Sequence, residues 1–81
     1  MMDAFQRLLN FPEHLEVWRT TDGNIAVSFY RTSIKTCGGL LADFGVGISF
    51  YEACEDYLRK ISGRTIVVEY DRECRKEFNV L

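Results

Sequence analysis

The chain has 81 residues, of which 47% are hydrophobic and 27% are charged, with twelve acidic and ten basic side chains. This length and composition predict one globular domain over residues 1–81. The net charge of −2 argues against a nucleic-acid binder that depends on a basic excess, and no stretch reaches the roughly 20 apolar residues that span a bilayer.

The first half of the chain predicts a short helix followed by a hairpin. Residues 3–10 form the helix candidate, because Asp3 and Gln6 have capping-box spacing and Pro12 ends the segment. Two strands, at 15–20 and 25–31, flank a strong turn signal.

The register of this hairpin decides which aromatic side chains are exposed. A two-residue loop would place Trp18 on the buried face. A three-residue loop, residues 21–23 with Gly23 in the left-handed region, instead groups one apolar set on one face. That set is Leu15, Val17, Ile25, Val27 and Phe29. We prefer the second register, which leaves Glu16, Trp18, Ala26, Ser28 and Tyr30 on the opposite face.

The second half predicts a further strand, the main helix and another strand. Gly38 and Gly39 indicate a turn before a short strand at 40–44, and Gly45 and Gly47 indicate a loose entry to the helix. Ser49 and Glu52 have capping-box spacing. The helical apolar face comprises Phe50, Ala53, Cys54, Tyr57, Leu58 and Ile61.

Gly63 has the position of a helix C-cap, and a β-branched run at 65–70 predicts the next strand. A charged turn at 71–76 follows, and 77–81 is a candidate final edge strand. The expected order is therefore α-β-β-β-α-β. We expect an α+β fold with one antiparallel sheet and both helices packed on one of its faces.

Neither metal binding nor catalysis has a signature in the chain. Cys37, Cys54 and Cys74 are odd in number and widely spaced, which argues against a disulfide framework and favours a reducing, cytoplasmic setting. Their spacing also lacks the pattern of a tetrahedral metal site. His14 is the sole imidazole, and no neighbouring residue pattern orients it for catalysis. We expect no enzyme activity, no cofactor and no metal ion.

Two groups of side chains are candidates for partner binding. Trp18, Tyr30 and Tyr51 are aromatic residues of the type that anchors protein interfaces. The carboxylates of Glu52, Glu55 and Asp56 crowd the first turns of the main helix. They either complement the helix dipole or form an acidic patch for a basic partner.

A nucleic-acid-binding module is the alternative. The order of elements and the glycine-rich helix entry resemble the double-stranded-RNA-binding fold. That family places lysines at the start of the helix, where this chain has carboxylates that repel phosphate. Nucleic-acid contact would then depend on the basic trio Arg72, Arg75 and Lys76.

The C-terminal half resembles a further group of proteins. It contains a G-x-G-x-S-x-x-E-A entry, a D-Y pair, an I-S-G-R-T segment and an R-K-E-F-x-V ending. The matching residues are Gly45, Gly47, Ser49, Glu52, Ala53, Asp56, Tyr57, Ile61, Ser62, Gly63, Arg64, Thr65, Arg75, Lys76, Glu77, Phe78 and Val80. This pattern resembles small uncharacterised proteins of bacteriophages and prophages, mainly of Gram-positive hosts. Phe50 and Tyr51 stand where that family has polar residues.

The resemblance implies an origin and brings no catalytic residues with it. Small phage accessory proteins commonly bind and block a host protein, and inhibitors of bacterial defence systems, including anti-CRISPR proteins, have this size and composition. We therefore expect a non-enzymatic inhibitor that binds a bacterial host protein in the cytoplasm, such as a CRISPR-Cas-type component, and makes no membrane contact. A self-assembling structural protein, for example a homodimer formed through a strand edge or the Trp18 face, is a further alternative.

Overall fold

The computed structural model describes residues 3–68 and 75–80. Within these residues the chain forms two helices and seven strands, and every strand pairing is antiparallel. The α+β class is therefore confirmed. The elements in chain order are α1 Ala4–Leu9, β1 Leu15–Arg19, β2 Ile25–Phe29, β3 Thr32–Thr36, β4 Gly39–Leu41, β5 Gly45–Gly47, α2 Phe50–Ile61, β6 Thr65–Val68 and β7 Lys76–Asn79.

The strands form two sheets rather than the single sheet that we expected. One sheet has the order β1-β2-β5 and the other has the order β4-β3-β6-β7. Each sheet belongs to a separate compact unit. The first unit holds the described residues up to Tyr30 together with Phe44–Lys60, and the second holds Arg31–Asp43 and the described residues from Ile61 onward.

In the first unit, the predicted capping box of α1 and the predicted hairpin loop are confirmed. Asp3 accepts a hydrogen bond from the Gln6 N–H at 2.9 Å, and the Gln6 side chain accepts one from the Asp3 N–H at 3.2 Å. The hairpin pairs Val17 with Val27, which leaves the three-residue loop, and Gly23 has a φ of +88°.

Both helices of this unit lie against the same face of its sheet. The ring centroids of Tyr57 in α2 and Phe29 in β2 are 5.5 Å apart, and those of Phe5 in α1 and Phe50 in α2 are 5.0 Å apart. The Phe29 N–H also donates to the Tyr57 hydroxyl at 3.1 Å. These contacts confirm that α1 and α2 share one side of the three-stranded sheet.

Two burial predictions for the hairpin were wrong. Val17 was expected in the core but is 51% exposed, because β1 is an edge strand of its sheet. Ala26 was expected on the open face but is fully buried. It lies on the central strand, directly between Trp18 of β1 and Val46 of β5, so its small side chain is covered from both sides.

The second unit contains the largest difference from the expected order. Residues 32–36 form β3, which we did not predict, because the segment TSIKT has one large apolar residue. The strand expected at 40–44 is shorter and lies at Gly39–Leu41. Strand β6 starts at the predicted Thr65, and the expected final strand occurs as Lys76–Asn79. The expected turn at 71–76 lies largely outside the described residues.

Backbone hydrogen bonds continue the β6–β7 pairing beyond the ends of these two strands. The Gly63 N–H donates to the Val80 carbonyl at 2.7 Å, and the Val80 N–H donates to the Arg64 carbonyl at 2.8 Å. Gly63 has a φ of +75°, as the predicted C-cap requires. The buried side chains of this unit are Ile34, Ile61, Ile66, Val67, Val68 and Val80.

Candidate functional site

Helix α2 lies unusually close to β5, and two glycines allow this. A Cβ atom on Gly45 would lie 2.3 Å from the Ala53 carbonyl oxygen and 2.4 Å from the Tyr57 nitrogen. On Gly47 it would lie 2.6 Å from the Ala53 nitrogen. Any side chain at these positions would collide with helix backbone. The sequence predicts a loose entry to the helix at Gly45 and Gly47, but the two glycines lie in β5, against which the helix packs directly.

Three side chains of α2 bind the outer edge of β5 and its flanking residues. The Lys60 ammonium donates to the Phe44 carbonyl at 3.0 Å. The Val46 N–H donates to Asp56 Oδ2 at 2.9 Å, and the Ile48 N–H donates to Glu52 Oε2 at 3.2 Å. We call these three contacts, made by Glu52, Asp56 and Lys60, the edge ladder.

The spacing of the edge ladder follows from the geometry of the two elements. Helix residues four apart are separated by about 6 Å along the axis, and strand residues two apart by about 7 Å. A helix that runs antiparallel to a strand can therefore match every fourth side chain to every second residue. Val46 lies opposite Ala26 of β2, but hydrogen-bonded and non-hydrogen-bonded pairs alternate in an antiparallel ladder, and the Val46 N–H points away from β2 and donates to Asp56.

Asp56 is the best-connected carboxylate of the ladder. Besides the Val46 N–H, it forms ion pairs with Arg59 and with Lys60, the latter at 3.1 Å. Partial burial opposes its charged form, but the Val46 N–H and the Lys60 ammonium outweigh this, so the pKa of Asp56 lies below its ordinary value. The contacts of Asp56 are therefore internal to the first unit.

The predicted capping box at Ser49 is half confirmed. The Glu52 N–H donates to Ser49 Oγ at 3.2 Å, as a helix N-cap requires. The Glu52 carboxylate, however, accepts from the Ile48 N–H, which is its contact in the edge ladder, rather than from the Ser49 N–H that a capping box requires. Both Glu52 and Asp56, which we predicted as candidates for partner binding, thus have structural contacts.

Two of the predicted partner-binding residues, Tyr51 and Glu55, are exposed on α2, and Ile48 lies two residues before this helix. Ile48 is 79% exposed and Tyr51 is 60% exposed, which are the two highest values among the large hydrophobic side chains of the described residues. Glu55 is exposed one helical turn from Tyr51. The Tyr51 and Phe50 ring centroids are 5.9 Å apart, so a neighbouring ring supports the Tyr51 ring. We call Ile48, Tyr51 and Glu55 the α2 surface.

Trp18 and Tyr30 do not join the α2 surface. Trp18 lies on the sheet face opposite the helices, where it is 38% exposed and its ring centroid lies 5.4 Å from that of Phe44. Tyr30 is similarly exposed, one residue beyond β2. The hairpin register thus exposes Trp18 as predicted, and the predicted binding residues are divided between two faces of the first unit.

The basic trio predicted for nucleic acid lies in the second unit. Arg72 falls outside the described residues. The Arg75 guanidinium lies 3.8 Å from Glu77 Oε1, and the Lys35 ammonium lies 3.3 Å from the same oxygen. Lys76 is exposed at the start of β7. The basic side chains of Arg75 and Lys76 therefore share their surface with the acidic side chain of Glu77.

The sequence did not reveal a groove beside β1. It has a volume of about 620 Å³ and is lined mainly by apolar side chains from α1, β1 and the start of α2. They include Phe5, Leu9, Phe11, Leu15, Val17 and Phe50. The signal for it in the sequence is the number of apolar side chains between Phe5 and Val17, which exceeds what one buried strand face needs.

Other reactive groups are dispersed. No group of three or more potential metal ligands occurs within residues 3–68 and 75–80. Cys54 is buried, and its burial, with a smaller effect of Asp3, raises the pKa of the thiol to about 11. Cys37 is exposed. Neither helix in the described parts of the chain is long and apolar enough to cross a membrane.

Comparison of the chain with protein-family models, with curated proteins and with solved structures found no match.

Proposed function

We propose that this chain is a non-enzymatic accessory protein of the phage type, which binds a bacterial host protein through the α2 surface and thereby inhibits it. The observation that carries the proposal is the exposure of Tyr51 in α2, and of Ile48 just before it, where the edge ladder fixes the position of the helix. The class of partner is proposed from the resemblance to phage proteins.

Three physical features support the α2 surface as the contact. A tyrosine combines a large apolar ring with a hydrogen-bonding hydroxyl, and such residues are enriched among the energetic centres of interfaces. Its neighbour Ile48 adds apolar area, since 79% of this residue is exposed. Finally, a rigid helix has little conformational entropy left to lose when a partner binds.

The charge of this surface predicts the chemistry of the partner. Glu55 adds a negative charge beside Tyr51, and its carboxylate has no ion pair with the described residues. We therefore propose that the partner presents an apolar pocket for Tyr51, with a lysine or arginine at its rim. Such a rim charge acts mainly on the association rate and on its salt dependence.

The experiment is affinity capture from lysate of a candidate bacterial host with tagged chain, with and without nuclease, followed by mass spectrometry and binding measurements. We expect a protein partner that survives nuclease. Tyr51→Ala should weaken its binding by about 10- to 30-fold, since interface centres are worth about 1.4–2 kcal/mol each. Glu55→Lys should slow association mostly at low salt.

A matched control is Leu41→Ala, because Leu41 is an exposed apolar residue of the second unit. Its variant should bind as the unmodified chain does. Normal binding by both Tyr51→Ala and Glu55→Lys would show that the contact lies elsewhere. Partners that disappear on nuclease treatment would favour the nucleic-acid-binding alternative.

A further inference from the structure

The two edge strands of the three-stranded sheet differ in the side-chain hydrogen bonds that their outward backbone groups receive. At β5, the edge ladder supplies side-chain partners to the Phe44 carbonyl and to the Val46 and Ile48 N–H groups. At β1, the other edge, the described residues provide no corresponding side-chain ladder. Unpaired strand edges are sites where another chain can add a strand, and proteins usually cover or charge them.

The backbone groups that β1 offers can be assigned from its pairing with β2. The Tyr30 N–H donates to the His14 carbonyl at 2.8 Å, and the Thr20 N–H donates to the Asn24 carbonyl at 2.8 Å. In an antiparallel pair the bonded residues alternate, so even-numbered residues of β1 bond to β2. Leu15, Val17 and Arg19 therefore direct their N–H and C=O groups away from the sheet.

Apolar side chains accompany this free edge. Val17 is 51% exposed at the middle of β1, and Leu9 of α1, which lines the same groove, is 56% exposed. Leu15 also lines the groove, beside Val17. An incoming strand would thus gain backbone hydrogen bonds and bury apolar side chains on the helix-covered side of the sheet.

We propose that a second copy of this chain docks at this edge, with the two β1 strands antiparallel about a twofold axis through Val17. The three outward residues are symmetric about Val17, so this register pairs Val17 with Val17 of the second copy and Leu15 with its Arg19. A twofold contact requires such self-complementarity. The groove of each copy then covers Val17 and Leu9 at the dyad.

The charges along the edge favour the same arrangement. Glu13 lines the groove two residues before β1 begins, and Arg19 ends the strand. In an antiparallel pair, Glu13 of each copy lies near Arg19 of the other, which gives two attractive contacts. A parallel pair would bring like charges together. The occupant is therefore a second copy, and this inference does not depend on the α2 surface.

The experiment is the solution mass of the full chain under reducing conditions, by light scattering or sedimentation, from about 1 to about 100 μM. We expect a mass that rises toward about 19 kDa, twice the 9.4 kDa of the chain. Val17→Lys should raise the dissociation constant by at least about 10-fold, since it places two like charges at the dyad. Leu41→Ala, at an exposed apolar residue of the second unit, is the control and should dimerise normally.

A second variant keeps the test valid if Val17→Lys alters the fold. Val17→Pro removes one outward N–H without breaking the β1–β2 pairing, because that N–H faces away from β2. Circular dichroism of both variants reports whether the fold is retained. A folded Val17→Lys or Val17→Pro variant that still dimerises like the unmodified chain would overturn the proposal.

Disulfide trapping tests the register itself, in a background with Cys37→Ser and Cys74→Ser. The two Val17 Cα atoms would lie about 5.5 Å apart, which suits a disulfide, so Val17→Cys should cross-link on oxidation. The two Arg19 positions would be about 14 Å apart, so Arg19→Cys should not. A monomeric mass at all concentrations overturns the proposal, and the β1 edge would then be a site for an extended segment of another protein. Equal cross-linking of the Val17→Cys and Arg19→Cys variants also overturns it.

Discussion

Replacement of Asp56 by alanine tests the edge ladder more directly than any other single change. The Asp56 carboxylate accepts the Val46 N–H at 2.9 Å and pairs with Lys60 at 3.1 Å, and its side chain is mostly covered. Asp56→Ala removes the carboxylate, so the Val46 N–H loses this hydrogen-bond acceptor. Lys60 also loses the carboxylate that helps to position it against Phe44.

The expected loss of stability can be estimated from these contacts. A hydrogen bond to a charged group contributes about 1.5–3 kcal/mol to the free energy of unfolding. The pair with Arg59 is largely exposed to water and adds little. Alanine's better helix propensity offsets a few tenths of a kcal/mol. We expect a net loss of about 2 kcal/mol, which lowers the melting temperature of a chain of this size by roughly 8–16 °C.

The measurement is urea and thermal unfolding followed by circular dichroism, with Glu55→Ala as the matched control. Glu55 is the adjacent carboxylate on the same helix, but it has no ladder contact, so its variant should change the free energy of unfolding by less than about 0.5 kcal/mol. Equal losses in the two variants would refute the ladder as a stabilising feature.

The contribution of Asp56 to the free energy of unfolding should also depend on pH. Because the folded protein holds the pKa of Asp56 below the unfolded value of about 3.9, its contribution is fully present above that pH. It is lost as the pH falls through the lower folded pKa. The stability difference between the unmodified chain and Asp56→Ala should therefore be constant above about pH 5 and shrink below about pH 4. A difference that grows on acidification would contradict the assignment.

Two further predictions use other features of the first and second units. Gly45→Ala should destabilise the fold by about 3 kcal/mol in urea unfolding, since its Cβ would collide with the backbone of α2, whereas Gly38→Ala meets nothing within 4 Å and should be neutral. In a Cys74→Ser background, a thiol reagent at pH 8 should modify the exposed Cys37 and spare the buried Cys54 until the chain unfolds. Rapid modification of Cys54 in the folded chain would contradict the burial of the apolar face of α2.

The elements predicted correctly are those with local signals. Helix α2 has apolar residues at helical spacing and an N-cap at Ser49, and Gly63 ends it. The hairpin loop follows from Gly23 and from the apolar alternation on both sides. These signals act over a few residues, so they can be interpreted without knowledge of the rest of the fold.

The features that the sequence did not predict depend on contacts between distant elements. The glycines of β5 resemble a loop until the helix that packs on Gly45 is known. Asp56 resembles any acidic residue of a helix surface, because its partner, the Val46 N–H, belongs to a strand. The exposure of Val17 depends on which strand lies at the sheet edge, and this is a property of the sheet order rather than of β1 itself.

The edge ladder also limits how far association through this sheet can proceed. If two copies join at β1, the resulting six-stranded sheet ends at β5 on both sides, and at each β5 the side chains of α2 already occupy outward backbone groups. No bare edge of this sheet then remains for a third copy. Growth by strand addition at this sheet would stop at a closed pair, while a chain with both edges open could continue into a fibre.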